Sequence, residues 1–324
     1  MSLNRTSCPT IQSPSDWWPS CSRCRDGMFD VIVVGGGPAG LSAAMMLGRC
    51  RRRVLMCDLR QARNRRSHAL HGYLTRDGIP PAEFLDLGRG ELAAYGIESR
   101  CIGVTNVSRT DRHFAVTLSD GRQEQSQFVL LATGVVDDLP LLPGMDDCYG
   151  RSVFHCPYCD GWEWRDRRLA ALGAGVNAAK LALGLKAWSA DIVLCTNDTA
   201  LHIRERRRLE RNGITVRTGA VSRLEHDAGN LTAIIFGNGE RLARDAIFFS
   251  SGQHPQSDLA VRLGCALTGR GTVRTGTLSD TNVAGIFVAG DASRDAQFVV
   301  VAAAEGVKAA VAINKALLQR ELTL

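Results

Sequence analysis

From Phe29 onward the apolar positions fall into short unbroken runs, each giving way to a longer stretch rich in alanine and leucine. Phe29-Asp30-Val31-Ile32-Val33-Val34 is the first such run and Val54-Leu55-Met56-Cys57 the second. Short β-branched runs predict strands, the stretches between them predict helices, and their alternation predicts a parallel α/β protein. A strand–glycine–helix unit occurs twice, over Val31 to Asp58 and again over Leu169 to Asp198. Turn-rich segments bracket the second copy, Val136-Asp137-Asp138-Leu139-Pro140 on one side and Ser251-Gly252-Gln253-His254-Pro255 on the other. The expected fold is therefore α/β, with two Rossmann-like (three-layer ββα) dinucleotide-binding domains, the second inserted into the first. Residues 28–138 and 253–324 would form the first domain and residues 139–252 the second. Residues 1–27 are polar and irregular, an N-terminal extension ahead of Met28, which would itself make a natural start.

Composition narrows the class. Hydrophobic residues make up 45% of the 324 positions and charged residues 22%, and no apolar run approaches the ~18 residues that a bilayer span needs. A soluble protein without a membrane partner is expected. The N-terminus lacks an apolar signal core, and the 11 cysteines are scattered along a long chain, so reduced thiols and a cytoplasmic location are expected. The net charge of +6 would suit an acidic protein partner. Arg51-Arg52-Arg53 and Arg206-Arg207-Arg208 lack interleaved aromatics, which argues against a nucleic-acid partner and for solvated helix ends.

Gly35-Gly36-Gly37-Pro38-Ala39-Gly40 follows the first strand directly and opens a helix expected over Leu41 to Arg49. In that context Gly35 makes the tight turn, Gly37 lets backbone approach a pyrophosphate, and Gly40 allows close helix–strand packing. The diphosphate would rest on the helix N-terminus, where free N–H groups and the dipole favour negative charge. Asp58 ends the next strand about 18 residues past Gly40, near the ~20 expected of a carboxylate that grips a ribose. Near the other end, Gly285-Ile286-Phe287-Val288-Ala289-Gly290-Asp291 predicts a buried strand closing in Gly-Asp, with a long helix after it over roughly Gln297 to Leu318.

His155-Cys156-Pro157-Tyr158-Cys159-Asp160-Gly161 is the most specific signal. Two cysteines three apart at a helix start close a small disulfide, and the helix N-terminus raises the thiolate fraction that attacks other disulfides. The same spacing is half of a zinc site. The other C-x-x-C, Cys21 to Cys24, lies in the extension, more than a hundred residues away, and is itself open to a redox or metal role. Cys57, Cys101, Cys148, Cys195 and Cys265 read as small buried hydrophobes.

Over nearly everything after Met28 the chain resembles the low-molecular-weight thioredoxin reductases: Gly-x-Gly-x-x-Gly, a central Ala132-Thr133-Gly134, Cys-x-x-Cys-Asp-Gly and a late Gly290-Asp291. The resemblance implies an FAD site on Gly35, Gly37, Pro38, Ala39, Gly40, Asp58, Ala132, Thr133, Gly134 and Gly290. Asp291 would bond the ribityl chain, and the helix start around Gln297 would face the flavin's pyrimidine edge. It further implies that Cys159 meets the flavin, Cys156 meets the substrate, and Asp160 moves the proton. A thioredoxin-like protein or small dithiol would be the substrate, and the assembly a homodimer. The family's Tyr-Arg-Gln before the last helix is replaced by Ala296-Gln297-Phe298.

The second glycine motif, Gly173-Ala174-Gly175-Val176-Asn177-Ala178, marks the place of NADPH in that family. The arginine clamp expected for the 2′-phosphate is missing, because the next strand leads into Thr196-Asn197-Asp198-Thr199. Asp198 would repel a phosphate and instead suit a ribose of NADH, or the pocket is vestigial. Ser67-His68-Ala69-Leu70-His71-Gly72-Tyr73-Leu74-Thr75-Arg76-Asp77-Gly78 resembles the branch that includes the gliotoxin and holomycin dithiol oxidases, and ferredoxin-linked reductases are similar too. His68, His71 and Tyr73 would line the flavin face or pack. The expectation is an FAD-dependent relay between flavin and a thiol pair without a normal NADPH site, with ferredoxin as donor or oxygen as acceptor. A conventional NAD(P)H-dependent reductase and a redox-sensing flavoprotein without turnover are the alternatives.

Overall fold

A computed structural model describes residues 27–250, 252–293 and 296–322. The Cys21–Cys24 pair lies outside them. β1 (Phe29–Val34) runs into the glycine turn, α1 (Pro38–Arg49) follows, and β2 (Val54–Cys57) returns parallel to β1 with Val31 opposite Val54. The helix starts at Pro38 rather than Leu41 because proline's fixed φ suits the first helical position, where its missing N–H costs nothing. α2 (Pro81–Leu92) and β3 (Glu98–Arg100) complete one edge. β4 (Val104–Arg109), β5 (Phe114–Leu118) and β6 (Gln123–Leu131) form an antiparallel layer whose last strand rejoins the parallel sheet beside β1.

β7 (Val135–Asp137) leads out of this sheet. α3 (Met145–Cys148), β8 (Val153–Phe154), α4 (Pro157–Asp160), β9 (Leu169–Leu172), α5 (Gly175–Gly184) and β10 (Ile192–Cys195) come next. α6 (Ile203–Arg211) and β11 (Thr215–Arg217) precede a three-stranded antiparallel sheet of β12 (Val221–Asp227), β13 (Asn230–Phe236) and β14 (Arg241–Ala243). With β15 (Ala246–Phe249) a second, five-stranded parallel sheet closes in the order β11-β10-β9-β15-β8. β16 (Gln253–Pro255) pairs antiparallel with β7, so the two expected linkers are hydrogen-bonded to each other, Gln253 opposite Asp137. α7 (Leu259–Arg262), β17 (Ile286–Val288) and α8 (Val299–Leu322) return the chain to the first sheet, where β17 lies along Val129 to Leu131 of β6.

Strand alternation sorts the first core into two layers. Val31 and Val33 pack toward α1 and α8, while Ile32 and Val34 pack toward β4 and β5. α1 and α8 cross closely because Gly306 of α8 lies against the backbone carbonyl of Ala39, and a Cβ there would overlap it. Arg52, expected to be solvated, is buried instead: its Nε donates to Asn314 Oδ1 at 2.7 Å and its Nη1 meets Glu321 Oε1 at 2.5 Å. It thereby pins the end of α8 to the turn after α1. Arg206 to Arg208 do lie on a helix, α6. Cys57, Cys148, Cys195 and Cys265 are buried, but Cys101 is exposed, being just beyond the short edge strand β3.

Gly306→Ala is expected to lower unfolding free energy by about 1–3 kcal/mol through overpacking against α1. Gly90→Ala, on the open side of α2 with nothing near its missing Cβ, should be neutral or stabilise by up to ~1 kcal/mol. Denaturant titration of both variants checks the contrast.

Candidate active site

The first glycine turn forms a cradle from backbone alone. Gly35 sits at φ +104°, and a Cβ on it would meet the carbonyl of Ala132. Gly40 is bare because the Gly35 carbonyl lies against it, whereas nothing stands within 4 Å of the missing side chain of Gly37. The first N–H groups of α1 have no side-chain cap. An open space over unspent N–H groups at a helix N-terminus is a place for a diphosphate. Ala132 donates its N–H to Val34 at 2.8 Å, which holds Ala132-Thr133-Gly134 beside the turn. Asp58 overhangs Gly36, where a Cβ would collide with its carboxylate. Its Oδ1 accepts from the Arg60 N–H at 3.0 Å and its Oδ2 from Arg89 Nη2 at 3.1 Å. Gly290, at φ +78°, brings the late Gly-Asp onto Ala39. The structure thus gathers Gly35 to Gly40, Asp58, Ala132 to Gly134 and Gly290-Asp291 around one end of α1.

α8 begins at Val299, so Gln297 stands on its approach rather than inside it. Gln297 Oε1 accepts from Arg63 Nη1 at 2.6 Å, while its Nε2 is buried without a partner. A buried unpaired donor marks where a ligand acceptor belongs. Arg63 Nη1 also reaches Asp291 Oδ2 at 3.2 Å. Burial raises the Asp291 carboxyl above its ordinary range against the pull of Arg63. Together the open helix terminus, the glycine cradle and the orphaned amide fit FAD.

The remaining Arg63 donors go to Asp137 at the end of β7: Nε to Oδ2 at 2.7 Å and Nη2 to Oδ1. Burial alone would raise the Asp137 carboxyl, but the Arg63 hydrogen bonds and the charges beside it hold it below its ordinary value. Asp137 Oδ2 also accepts from the Tyr149 hydroxyl at 2.8 Å, and that hydroxyl lies 3.3 Å from Nδ1 of His155. Desolvation by the protein around the ring, and then the Arg63 charge, push the His155 pKa down to about 4, opposed by Asp137. Solvent contact over 36% of the side chain moderates the shift and leaves its direction, a neutral ring at pH 7.

Cys156 is the extended N-cap of α4, and its sulfur is bonded to that of Cys159, with Cα atoms 5.3 Å apart. Its carbonyl accepts from the N–H groups of Cys159 and Asp160 at 3.2 and 3.3 Å. Asp160 is half-buried beside the pair, and burial raises its pKa to about 7; His71 opposes the rise and Glu163 adds to it. His71 reaches across from the other sheet's loop, Nδ1 3.6 Å from Asp77 and Nε2 3.6 Å from Glu163. Tyr73 packs on Phe84 at 5.3 Å, and His68 is exposed. Among the described residues no cluster of His, Cys, Asp and Glu is arranged to hold a metal.

The second glycine turn keeps its shape, with Gly173 ahead of Gly175 at φ +66° and α5 behind. Past β10, Asn197 and Asp198 both take positive φ. Asn197 Oδ1 is spent on the Val221 N–H at 2.8 Å, and Asp198 faces solvent. Arg204 and Arg206 to Arg208 lie one element later on α6, whose N-terminus is capped by His202.

Arg63, Asp137, Tyr149 and His155 carry no sequence signal comparable with the glycine or cysteine motifs. Arg63 is one arginine in an arginine-rich stretch, Asp137 falls in a linker, and only the place of His155 beside Cys156 hints at a role.

Comparison with known proteins agrees with this geometry. Residues 29–306 match the family model described as pyridine nucleotide-disulphide oxidoreductase. The thioredoxin reductase sirT of Leptosphaeria maculans is 29% identical over 307 residues, covering 89% of this chain and 94% of the relative. The crystal structure of HlmI superposes with a TM-score of 0.89 at 34% identity, covering 92% of this chain and 95% of that one. A putative thioredoxin reductase from Bacillus anthracis gives 0.87 at 32% identity, covering 90% and 99%. No described helix is long and apolar enough to cross a membrane. Matched by the family model over most of its length and carrying a cradle that fits FAD, the chain belongs to the pyridine nucleotide-disulphide oxidoreductases, as a thioredoxin reductase-like flavoprotein.

Proposed function

We propose that this enzyme relays electron pairs between its flavin and a substrate thiol pair through Cys156 and Cys159, without using NADPH. The carrying observation is the Cys156–Cys159 disulfide at the head of a helical turn, with the half-buried Asp160 beside it. FAD, when bound, stores the electron pair. Cys156 meets the substrate, Cys159 faces the flavin, and Asp160 takes or returns the proton that each thiol step moves. Residues 28–138 and 253–324 act as the FAD-binding unit and residues 139–252 as the unit that carries the cysteines. The paired strands β7 and β16 join them. Rotation about such a pair of linkers would expose the cysteines to a protein substrate.

NADPH use is disfavoured by the solvent-facing Asp198 and by arginines displaced onto α6. The relative sirT is named a thioredoxin reductase and the Bacillus anthracis protein a putative one, which favours a thioredoxin-like protein as substrate; a small dithiol meets the same chemistry. Two directions follow: ferredoxin reduces the enzyme and the enzyme reduces a disulfide, or a dithiol reduces the enzyme and oxygen takes the electrons. Cytoplasmic location and homodimerisation go with the same proposal.

Anaerobic stopped-flow separates these. Dithiothreitol bleaching the flavin faster than NADPH does marks the dithiol-oxidising direction, and photoreduced ferredoxin doing so marks the disulfide-reducing one; NADPH should be the slow donor because its 2′-phosphate lacks a charge-assisted partner. Rapid bleaching by NADPH would restore the conventional reductase. Cys156→Ser should abolish bleaching by thiols, and a variant as fast as wild type would remove the redox pair from the mechanism. Asp160 titrates near 7, so dithiol oxidation, which needs the carboxylate, should rise with pH through about 7, and disulfide reduction, which needs the acid, should fall. Asp160→Asn should erase that inflection and slow turnover by ~10²–10⁴-fold; an unchanged pH profile would exclude Asp160.

A further inference from the structure

The two parallel sheets keep separate interiors. Among the described residues the apolar clusters around β1 draw nothing from residues 139–252, and those around β9 draw nothing from outside them. One continuous stretch, residues 63–79, crosses between them with polar contacts at two points.

The first point is Arg66. Its Nη1 donates to Asp146 Oδ1 of α3 at 2.9 Å, and its guanidinium stands 5.8 Å from the centre of the Tyr149 ring. Its carbonyl lies against Gly150, at φ +79°, where a Cβ would overlap it. The second point is His71. Its Nε2 is 3.6 Å, an ion-pair distance, from Oε1 of Glu163, which lies in the turn directly after α4. His71 and Glu163 both act on the carboxyl of Asp160, so this contact adjoins the cysteine turn.

The stretch holds its own shape while presenting these groups. Leu70 and Ile79 pair antiparallel; the Leu70 N–H donates to the Ile79 carbonyl and the Gly78 N–H to that of Leu70, each at 2.8 Å. Asp77 Oδ1 accepts from the Gly72 N–H at 2.8 Å and stands 3.6 Å from the other ring nitrogen of His71, Nδ1. Tyr73 packs on Phe84 of α2 at 5.3 Å, which ties the loop to the first sheet's own helix. The loop therefore belongs with the first sheet, and its outward contacts are weak ones. Arg66 and Asp146 are both largely solvated. Ion pairs so exposed contribute little each, and small polar interfaces between packed units are the ones that open.

We infer that residues 63–79 form a clasp, in which Arg66 and His71 are positioning residues that hold residues 139–252, cysteine turn included, against the first sheet until a protein substrate is admitted. The inference rests on the rotation about β7 and β16 proposed above. A strong apolar seam would keep the cysteines out of a protein's reach. Two weak polar ties let a small open fraction form and close again.

Opening of the 156–159 disulfide by dithiothreitol and by a reduced thioredoxin, quenched with iodoacetamide and followed by mass, measures access. Each rate is normalised to the same thiol's rate on glutathione disulfide. A small thiol reaches the half-buried pair in the closed arrangement, whereas a protein needs the open one. In the holoenzyme at about pH 6, where histidine carries its charge, Glu163→Gln and Asp146→Asn should each raise the ratio of thioredoxin to dithiothreitol rates by ~2–5-fold. The double variant should give about the product of the two. Asp146 is 80% exposed, so its variant reports on a folded protein even if the other does not. A ratio that neither variant raises overturns the clasp. Equal changes in both rates overturn it too, because they place these residues in the chemistry and not in access. A wild-type disulfide that opens equally fast to both thiols would instead remove the need for rotation, and the clasp with it.

Discussion

One guanidinium holds together the backbone segments on which this site is built. Arg63 is 15% exposed and divides its donors among Asp137, Asp291 and Gln297. Those partners come from the strand leaving the first sheet, the end of β17's Gly-Asp turn, and the approach to α8. Its charge is always present, and its planar fork meets a carboxylate with two parallel bonds. Removing either partner of the Arg63–Asp137 pair would strand a buried charge, at a cost of ~3–5 kcal/mol. The pair therefore fixes where β7 leaves the first sheet.

Around that tie the two sides of the cysteine pair are chemically unlike. On the Cys159 side a carboxyl is raised to about 7 by burial. On the Cys156 side desolvation, and then the Arg63 charge, push an imidazole the other way. The two titratable groups that flank this one disulfide are thus driven in opposite senses by their environments. The same Arg63 that ties Asp137, Asp291 and Gln297 together thus adds to the burial that keeps the ring beside Cys156 neutral.

The second glycine turn shows how far a dinucleotide-binding shape is independent of the side chains at its rim. β9, the turn and α5 have a dinucleotide-binding shape, while the turn directly after β10 presents Asn197, spent on the Val221 N–H, and the solvent-facing Asp198. Fold and ligand are separable because the shape is set by strand pairing and glycine conformations, and the ligand by a few side chains at the loop tip.

Much was legible in the sequence, because it is written in local terms. The limits of β1 and β2 follow from unbroken apolar runs, the cradle from glycines whose lack of a Cβ is itself the requirement, and the redox pair from a fixed spacing. Arg63 is 74 residues from Asp137 and 234 from Gln297 along the chain, so nothing in its own neighbourhood distinguishes it from Arg60, Arg65 or Arg66. Burial of Arg52 against α8 and exposure of Cys101 are likewise properties of what packs there, not of residue type. Periodicity and motif determined which elements form and where the glycine turns and the cysteine pair lie. Only the tertiary structure decided which distant charges surround those atoms, because hydrogen bonds and desolvation act over a few ångströms of space, whatever the distance along the chain.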